Sequence, residues 1–326
     1  MKDEVYDYFL NLLKKKFPRR AELTRSLVDL LTIEKEAVYR RLRKEVPFTF
    51  NEMAVIARAW DISLDTVIRV EPTRSLPFCL QLLDHLNPLP EDIQAMERFA
   101  KLLRFMSEEP RSESMEVSNL VPFSLYHGFA GLSRFFLFKW IYQYGEVARL
   151  PSFGEVVLSE EVNRLANEQN RLMKHVSQTF YVLDHMLFNY LVNDIRYFAS
   201  IYLLRQEEVA RLKEDILGLL DYLEVLAATG KFPETGNRVY LYISPINFDT
   251  NYCYLEGKTA KMSMIRTFVM NAVVSLDEHA FRKLKDGVLA MKRSSTLISE
   301  SGEKHRIEFF EKQRALVESL TSCVPG

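Results

Sequence analysis

The segment from Ala21 to Ile68 constrains the fold of this chain more than any other part of the sequence. It contains three short runs of apolar residues at helical spacing, joined by tight connections. The first run carries four leucines that fall on one face of a helix, namely Leu23, Leu27, Leu30 and Leu31. The segment therefore predicts a series of short helices.

A second helix is predicted from Glu34 to Lys44, and Pro47 ends it. Its inward-facing residues would be Ala37, Val38 and Leu42. The next helix begins after Thr49, because Thr49 and Glu52 have the spacing of a capping box. A leading helix is predicted from Asp3 to Lys16.

Positive charge is concentrated around the second helix. Between Lys14 and Lys44 the sequence has eleven basic and four acidic residues, an excess of seven positive charges. The whole chain has a formal net charge of -1, so the remainder is acidic. A local basic excess of this kind is the electrostatic footprint that phosphate binding needs.

The order of the helices and two sequence phrases resemble the Cro/C1-type (XRE-like) helix-turn-helix family. The phrase AVIARAWDISLDTVI at positions 54–68 is similar to the end of that family's domain. The phrase VYRRLRKE at positions 38–45 occupies the place where the family's recognition helix ends. The chain departs from the family at the turn, where Thr32 stands for the usual glycine and Val28 for the usual alanine. Thr32 would have to adopt a conformation that glycine takes more easily.

The resemblance implies that residues 34–44 form a recognition helix in the major groove of double-stranded DNA. The base edges would be approached by Lys35, Glu36, Tyr39 and Arg40. Arg40 would pair with guanine, and Glu36 would accept a hydrogen bond from cytosine. Phosphate contacts, which position a protein without specifying sequence, would come from Arg19, Arg20, Arg25, Arg43 and Lys44. The alternative is a small helical domain whose charged faces are merely solvated.

The chain of 326 residues is long enough for two or three domains. The turn-rich stretch Glu71–Pro77 predicts a linker. We predict a mainly α protein with a helix-turn-helix domain at residues 1–72, a helical regulatory or dimerisation region at residues 77–230, and a small α+β module at residues 231–326. In this module, which is a candidate for effector sensing, the alternation of residues 238–244 predicts a strand, with further strands and two helices after it.

A heptad-like apolar stripe runs from Phe188 to Leu226 and is interrupted only by Arg205. In its second half the opposite face is charged, as in a helix that is exposed on one side. Six residues of that half form a candidate dimer seam: Val209, Leu212, Ile216, Leu219, Leu223 and Leu226. Packing within one chain would explain the same stripe equally well. The aromatic-rich stretch Phe123–Tyr144 is interpreted as a buried helix rather than a ligand site.

Patterns that carry catalytic or metal chemistry are missing from the sequence. None of the motifs GxxxxGK[ST], GxGxxG, GxSxG or HExxH occurs. The three cysteines, Cys79, Cys253 and Cys323, are widely spaced, which predicts neither a disulfide framework nor a zinc site. No apolar run approaches the length of a membrane span. The expectation is a cytoplasmic protein that is not an enzyme and has no cofactor or metal.

Together these patterns favour a sequence-specific, DNA-binding transcriptional regulator that acts as a homodimer, and they leave a small-molecule effector open. Helix-turn-helix proteins generally bind as dimers, because one helix reads too few base pairs for useful specificity. The competing hypothesis is an interaction or scaffold protein. In that case the N-terminal helices and the apolar stripe would recruit protein partners.

Overall fold

The computed structural model describes residues 2–60, 62, 64–68, 76–145, 151–258 and 260–322. Contacts within the chain divide it into two units, Met1–Pro77 and Phe78–Gly326. Most of the predicted linker, at residues 71–75, and Cys323 lie outside the described residues.

Helices alone build the described part of the N-terminal unit: α1 (Lys2–Lys16), α2 (Arg20–Leu31), α3 (Lys35–Leu42), α4 (Phe50–Ala59) and α5 (Leu64–Ile68). They share one apolar core, in which Phe9, Leu27 and Ile56 are fully buried. The predicted helices of this region are confirmed. The third helix, α3, ends at Leu42 and not at Lys44.

Two local features of this unit agree with the sequence. Thr32 follows α2 with φ 52° and ψ 43°, the left-handed conformation that its place in the turn required. The capping box of α4 is present, because the Thr49 side chain accepts from the Glu52 N–H and the Glu52 carboxylate accepts from the Thr49 N–H. The connections on both sides of α3 are therefore specified by short-range signals.

The loop after α3 is held by contacts from α1 and α4. The Tyr6 hydroxyl donates to the Arg41 carbonyl at 3.1 Å and accepts from the Phe48 N–H at 3.0 Å. The Arg41 guanidinium donates to both carboxylate oxygens of Glu52, at 3.1 and 2.7 Å. Burial alone would raise the pKa of Glu52, but the hydrogen bonds from Arg41 and Thr49 and the charge of Arg41 bring it below its ordinary value of 4.5. This ion pair fastens α3 to α4.

A mixed sheet lies at the centre of the C-terminal unit. Its strands are β1 (Cys79–Gln81), β2 (Glu113–Ser118), β3 (Gln178–Asp184), β4 (Arg238–Ser244), β5 (Tyr252–Glu256), β6 (Lys261–Thr267), β7 (Asn271–Ser275) and β8 (Thr296–Leu297). The order across the sheet is β1-β7-β6-β5-β2-β3-β4-β8. Strands β2, β3 and β4 are parallel, and the other neighbours are antiparallel.

The helices of this unit are α6 (Pro90–Glu108), α7 (Phe123–Tyr126), α8 (Ala130–Tyr144), α9 (Glu160–Met173), α10 (Leu187–Ser200), α11 (Gln206–Thr229), α12 (Glu278–Arg293) and α13 (Glu303–Glu318). Helices α8, α10, α11 and α13 form the largest core with Tyr181 and Leu183 of β3. Helix α12 packs against the neighbouring residues Phe180 and Val182, which point the other way. Both faces of β3 are therefore covered.

The predicted fold class is wrong for this unit. A helical region at residues 77–230 followed by a small α+β module does not occur, because β2 and β3 lie in the predicted helical region and form the middle of the eight-stranded sheet. The predicted strand at residues 238–244 is confirmed as β4, but it is one strand of this larger sheet. The predicted buried helix in the stretch Phe123–Tyr144 corresponds to α7 and α8.

The apolar stripe is not a continuous seam. Residues 201–205 separate α10 from α11, and Tyr202 in that break has φ 61° and is 85% exposed. All six residues of the candidate dimer seam are buried inside the monomer: Val209, Leu212, Ile216, Leu219, Leu223 and Leu226. They cannot also face a second copy without unfolding the core. The stripe therefore belongs to the interior of the monomer.

Truncation of Ile216 tests this placement. Ile216→Ala should lower the free energy of unfolding of the C-terminal unit by about 2–5 kcal/mol, because it removes a fully buried side chain from the largest core. Val225 lies on the same helix and is 45% exposed, so Val225→Ala should change stability by less than about 0.5 kcal/mol. Urea unfolding followed by circular dichroism measures both. A wild-type midpoint for Ile216→Ala would contradict the assignment.

Replacing Glu52 tests the ion pair in the N-terminal unit. Because the folded-state pKa of Glu52 is lowered, its contribution to stability is present above its ordinary value of 4.5 and is lost as the pH falls through the folded-state pKa. Glu52→Gln keeps the capping geometry but weakens the bond to Arg41, and should cost on the order of 1 kcal/mol at neutral pH.

The unfolding of this unit can be followed through Trp60 in a Trp140→Phe background, since the chain has two tryptophans. The difference in stability between the parent chain and its Glu52→Gln variant should shrink as the solution is made acidic. Asp29→Asn, which replaces an exposed acid in α2, is the matched control. A difference that is independent of pH would mean that the Arg41–Glu52 pair does not stabilise the unit.

Candidate nucleic-acid interface

Helix α3 presents one face to solvent: Lys35, Glu36 and Arg40 are exposed, and four of its other residues are half-buried. Of its eight residues only Val38 is buried, and it packs in the core with Leu27 of α2 and Ile56 of α4. Because Val38 and Leu42 pack inward and Arg41 pairs with Glu52, only the face with Lys35, Glu36 and Arg40 is available to a partner. The sequence predicted this arrangement, although the predicted helix, residues 34–44, is longer than α3.

The four predicted base-contacting residues lie on this helix. Lys35, Glu36 and Arg40 are exposed, and Tyr39 is half-buried. The cationic groups of Lys35 and of Arg20 from α2 each lie 5.8 Å from the centre of the Tyr39 ring, a distance typical of cation–π contacts. The first turns of α2 and α3 therefore bring two cations together around one aromatic side chain.

The predicted phosphate-contacting residues fall into two groups. Arg19, Arg20 and Arg25 are exposed at and near the start of α2. Together with Lys35, they form no ion pair with a carboxylate among the residues that the structure describes. We call these four residues, with Tyr39 and Arg40, the basic face. The charge of Arg19, Arg20, Arg25 and Lys35 is available to an external anion, whereas Arg40 lies 3.7 Å from a Glu45 oxygen.

Arg43 and Lys44 form the second group, and carboxylates of the same unit pair with both. Arg43 lies 2.9 Å from a Glu36 oxygen and 2.8 Å from a Glu45 oxygen, and Lys44 pairs with Asp7. Both basic residues follow the last helical residue of α3, and Lys44 has φ 67°. A phosphate would have to compete with these pairs, which are exposed and are each worth about 0–1 kcal/mol.

Three residues that the sequence did not assign to the interface shape this surface. Arg41 is committed to Glu52 and also donates to the Ala37 carbonyl at 3.2 Å, so its charge does not serve the basic face. Glu45 pairs with Arg43 and lies 3.7 Å from Arg40. Asp7 reaches Lys44 from α1. The capping box pointed to Glu52, the partner of Arg41, but the contact of Asp7 with Lys44 depends on tertiary packing.

The described residues of the C-terminal unit include one hydrogen-bonded serine–histidine–asparagine arrangement, in which Ser133 Oγ lies 3.4 Å from His127 Nδ1 and His127 Nε2 lies 3.0 Å from Asn167 Oδ1. No set of three or more His, Cys, Asp or Glu side chains there is arranged to hold a metal ion. At the carboxyl ends of the parallel strands, the Asp184 carboxylate accepts from the N–H groups of Met186 and Phe248, and His185 Nδ1 lies 3.1 Å from the Ser244 carbonyl oxygen. These contacts hold loops and do not join a nucleophile to a base.

Two further expectations concern the cysteines and the membrane. Cys79 and Cys253 are both free thiols. Among the helices in the described part of the chain, none combines the length and the apolar character that crossing a bilayer requires.

The chain was also compared with known proteins. It matches no protein-family model, no curated protein and no solved structure.

Proposed function

We propose that this protein is a sequence-specific DNA-binding transcriptional regulator. The observation that supports the proposal is the basic face, where Arg19, Arg20, Arg25 and Lys35 are exposed without an internal carboxylate partner. Arg40 lies beside them, 3.7 Å from Glu45, on a helix that Val38 and the Arg41–Glu52 pair anchor. A short helix with outward cations, after a tight turn, suits the major groove in size and charge. The proposal implies a protein that acts in the cytoplasm, in contact with DNA.

In this proposal α3 is the recognition helix. Arg40 pairs with guanine O6 and N7, and Lys35, Glu36 and Tyr39 contact neighbouring base edges. Arg19, Arg20 and Arg25 bind phosphates along one strand, and Arg43 and Lys44 add phosphate contacts when they exchange their internal partners for the backbone. The second group contributes less to affinity than the first, because its internal ion pairs must be released.

A homodimer remains part of the proposal, because a single helix reads too few base pairs. The dimer contact must use a surface other than the six stripe residues, which are buried in the monomer. The alternative is an interaction or scaffold protein. The buried stripe cannot serve it as a docking surface either, so its partners would have to bind the N-terminal helices. Salt dependence distinguishes the two, since phosphate contacts weaken steeply with salt.

Arg40→Ala tests the recognition helix. A preferred site is first selected from a random DNA pool, and binding of the full chain is then measured by fluorescence anisotropy at several salt concentrations. Arg40→Ala should weaken binding to this site by about 1–3 kcal/mol and relax the preference at one base pair per half-site. Arg25→Ala should weaken binding to all sequences alike and lower the salt slope by roughly one.

Arg58→Ala is the matched control, because Arg58 is an exposed arginine of the same unit on α4, outside the basic face. It should change neither sequence preference nor affinity by more than a small factor. If the pool yields no enriched site, or if Arg40→Ala behaves like Arg58→Ala, the assignment of α3 as the recognition helix is wrong.

A further inference from the structure

The C-terminal unit has a small pocket of about 180 Å³, which lies beside the start of β5 and the end of β6. Asn251 and Arg266 supply its polar groups, Leu120, Phe268 and Val269 supply apolar wall, and Asp249 is exposed to solvent at its side. A liquid water molecule takes up roughly 30 Å³, so the space corresponds to roughly six waters. The pocket therefore has room for a small molecule.

The side-chain amide of Asn251 is buried and only half satisfied. The residue is 3% exposed, and its Oδ1 accepts from the N–H groups of Asn119 and Leu120 at 3.0 and 3.4 Å. These two donors fix the orientation of the amide, because a flipped amide would direct its NH₂ group at them. The Nδ2 atom is left buried without a hydrogen-bond partner. Because Nδ2 is also closed to solvent, Asn251 shapes the wall of the pocket and does not donate into it.

Arg266 lies directly across from Asn251, since the Arg266 N–H donates to the Asn251 carbonyl at 2.9 Å. Its guanidinium makes one long hydrogen bond, from Nη1 to the Val269 carbonyl at 3.4 Å. No carboxylate of the described residues lies within ion-pairing distance of it. Arg266 is therefore a half-buried cation of the pocket wall, and its guanidinium keeps donors for an external acceptor.

Glu116 is a buried acid that interacts electrostatically with Arg266. Burial raises the pKa of Glu116, and the attraction of Arg266 offsets only part of that effect, so the pKa stays above its ordinary value. The two groups form no ion pair, and Glu116 is not part of the pocket wall. Glu116 therefore does not provide Arg266 with the contact that an external anion would provide.

We propose that this pocket binds a small molecule through a carboxylate group, which pairs with the Arg266 guanidinium. A planar carboxylate matches the fork of a guanidinium. The apolar wall accommodates a short carbon chain. The exposed Asp249 disfavours a dianion such as phosphate, because it adds negative charge beside the site. This inference concerns the C-terminal unit alone and does not rest on DNA binding.

The test is ligand-observed NMR and thermal unfolding of the full chain with acetate, pyruvate and inorganic phosphate as probes. Pyruvate and acetate should show saturable binding and raise the unfolding temperature of the wild type, and phosphate should bind more weakly. Arg266→Gln should weaken the binding of the carboxylates by about tenfold or more, the effect of losing about 1.4 kcal/mol. Arg282→Gln, on α12 and outside the pocket wall, is the matched control and should bind like the wild type.

Asn251→Asp keeps the oxygen that accepts from Asn119 and Leu120 but adds a negative charge to the pocket wall. It should abolish binding of the carboxylate probes by charge repulsion, and it provides the answer if Arg266→Gln fails to fold. The inference is overturned if no carboxylate probe binds saturably to the wild type, or if both pocket variants bind as the wild type does. Binding of phosphate in preference to pyruvate would overturn the assignment of a carboxylate.

Discussion

The C-terminal unit depends on the burial of β3 on both faces. A parallel strand cannot be joined to its neighbour by a tight turn, so β2, β3 and β4 need long crossovers, and these supply the covering layer. Helices α7 to α9 connect β2 to β3, and α10 and α11 connect β3 to β4. The aromatic side chains of α8 and the leucines of α11 pack against Tyr181, Leu183 and Leu241 of the sheet, and this contact explains why these helices carry so many apolar residues. A dimer partner is not needed to explain them.

The same constraint explains which parts of the fold could be predicted. Strand β4 is half-buried on one face and shows alternation, so the sequence revealed it. In β3 nearly every residue is buried, and a short apolar run next to helical segments is ambiguous in period. In β2 the residues are buried as well, but its sequence ESMEVS is polar, and a polar segment of this kind is typical of a connection between elements. Glu113 is held by Lys285 and the Tyr254 hydroxyl, and partners so far away in sequence cannot be inferred from a local pattern.

The N-terminal unit was far more predictable, because its structure is specified over short distances. The capping box, the left-handed Thr32 and the spacing of Leu23 and Leu27 act within one or two turns. The exposure of Lys35 and Arg40 followed from the same helical period. The internal pairing of Lys44 with Asp7 could not be predicted, since α1 reaches the end of α3 only through packing. A count of basic residues therefore overstates the charge that a ligand meets, as Arg41 also illustrates.

The two proposed sites draw on unpaired cations in different ways. An exposed cation such as Arg25 is solvated by water, so the absence of a partner costs little and is weak evidence by itself. The case for the basic face rests on arrangement, namely two cations around Tyr39 on a helix that Val38 and the Arg41–Glu52 pair anchor. Arg266 is half-buried in the wall of a pocket, where an unmet donor costs more than on an open surface. That site involves fewer groups than the basic face, but its cation is less fully hydrated, so less hydration is lost when an anion pairs with it.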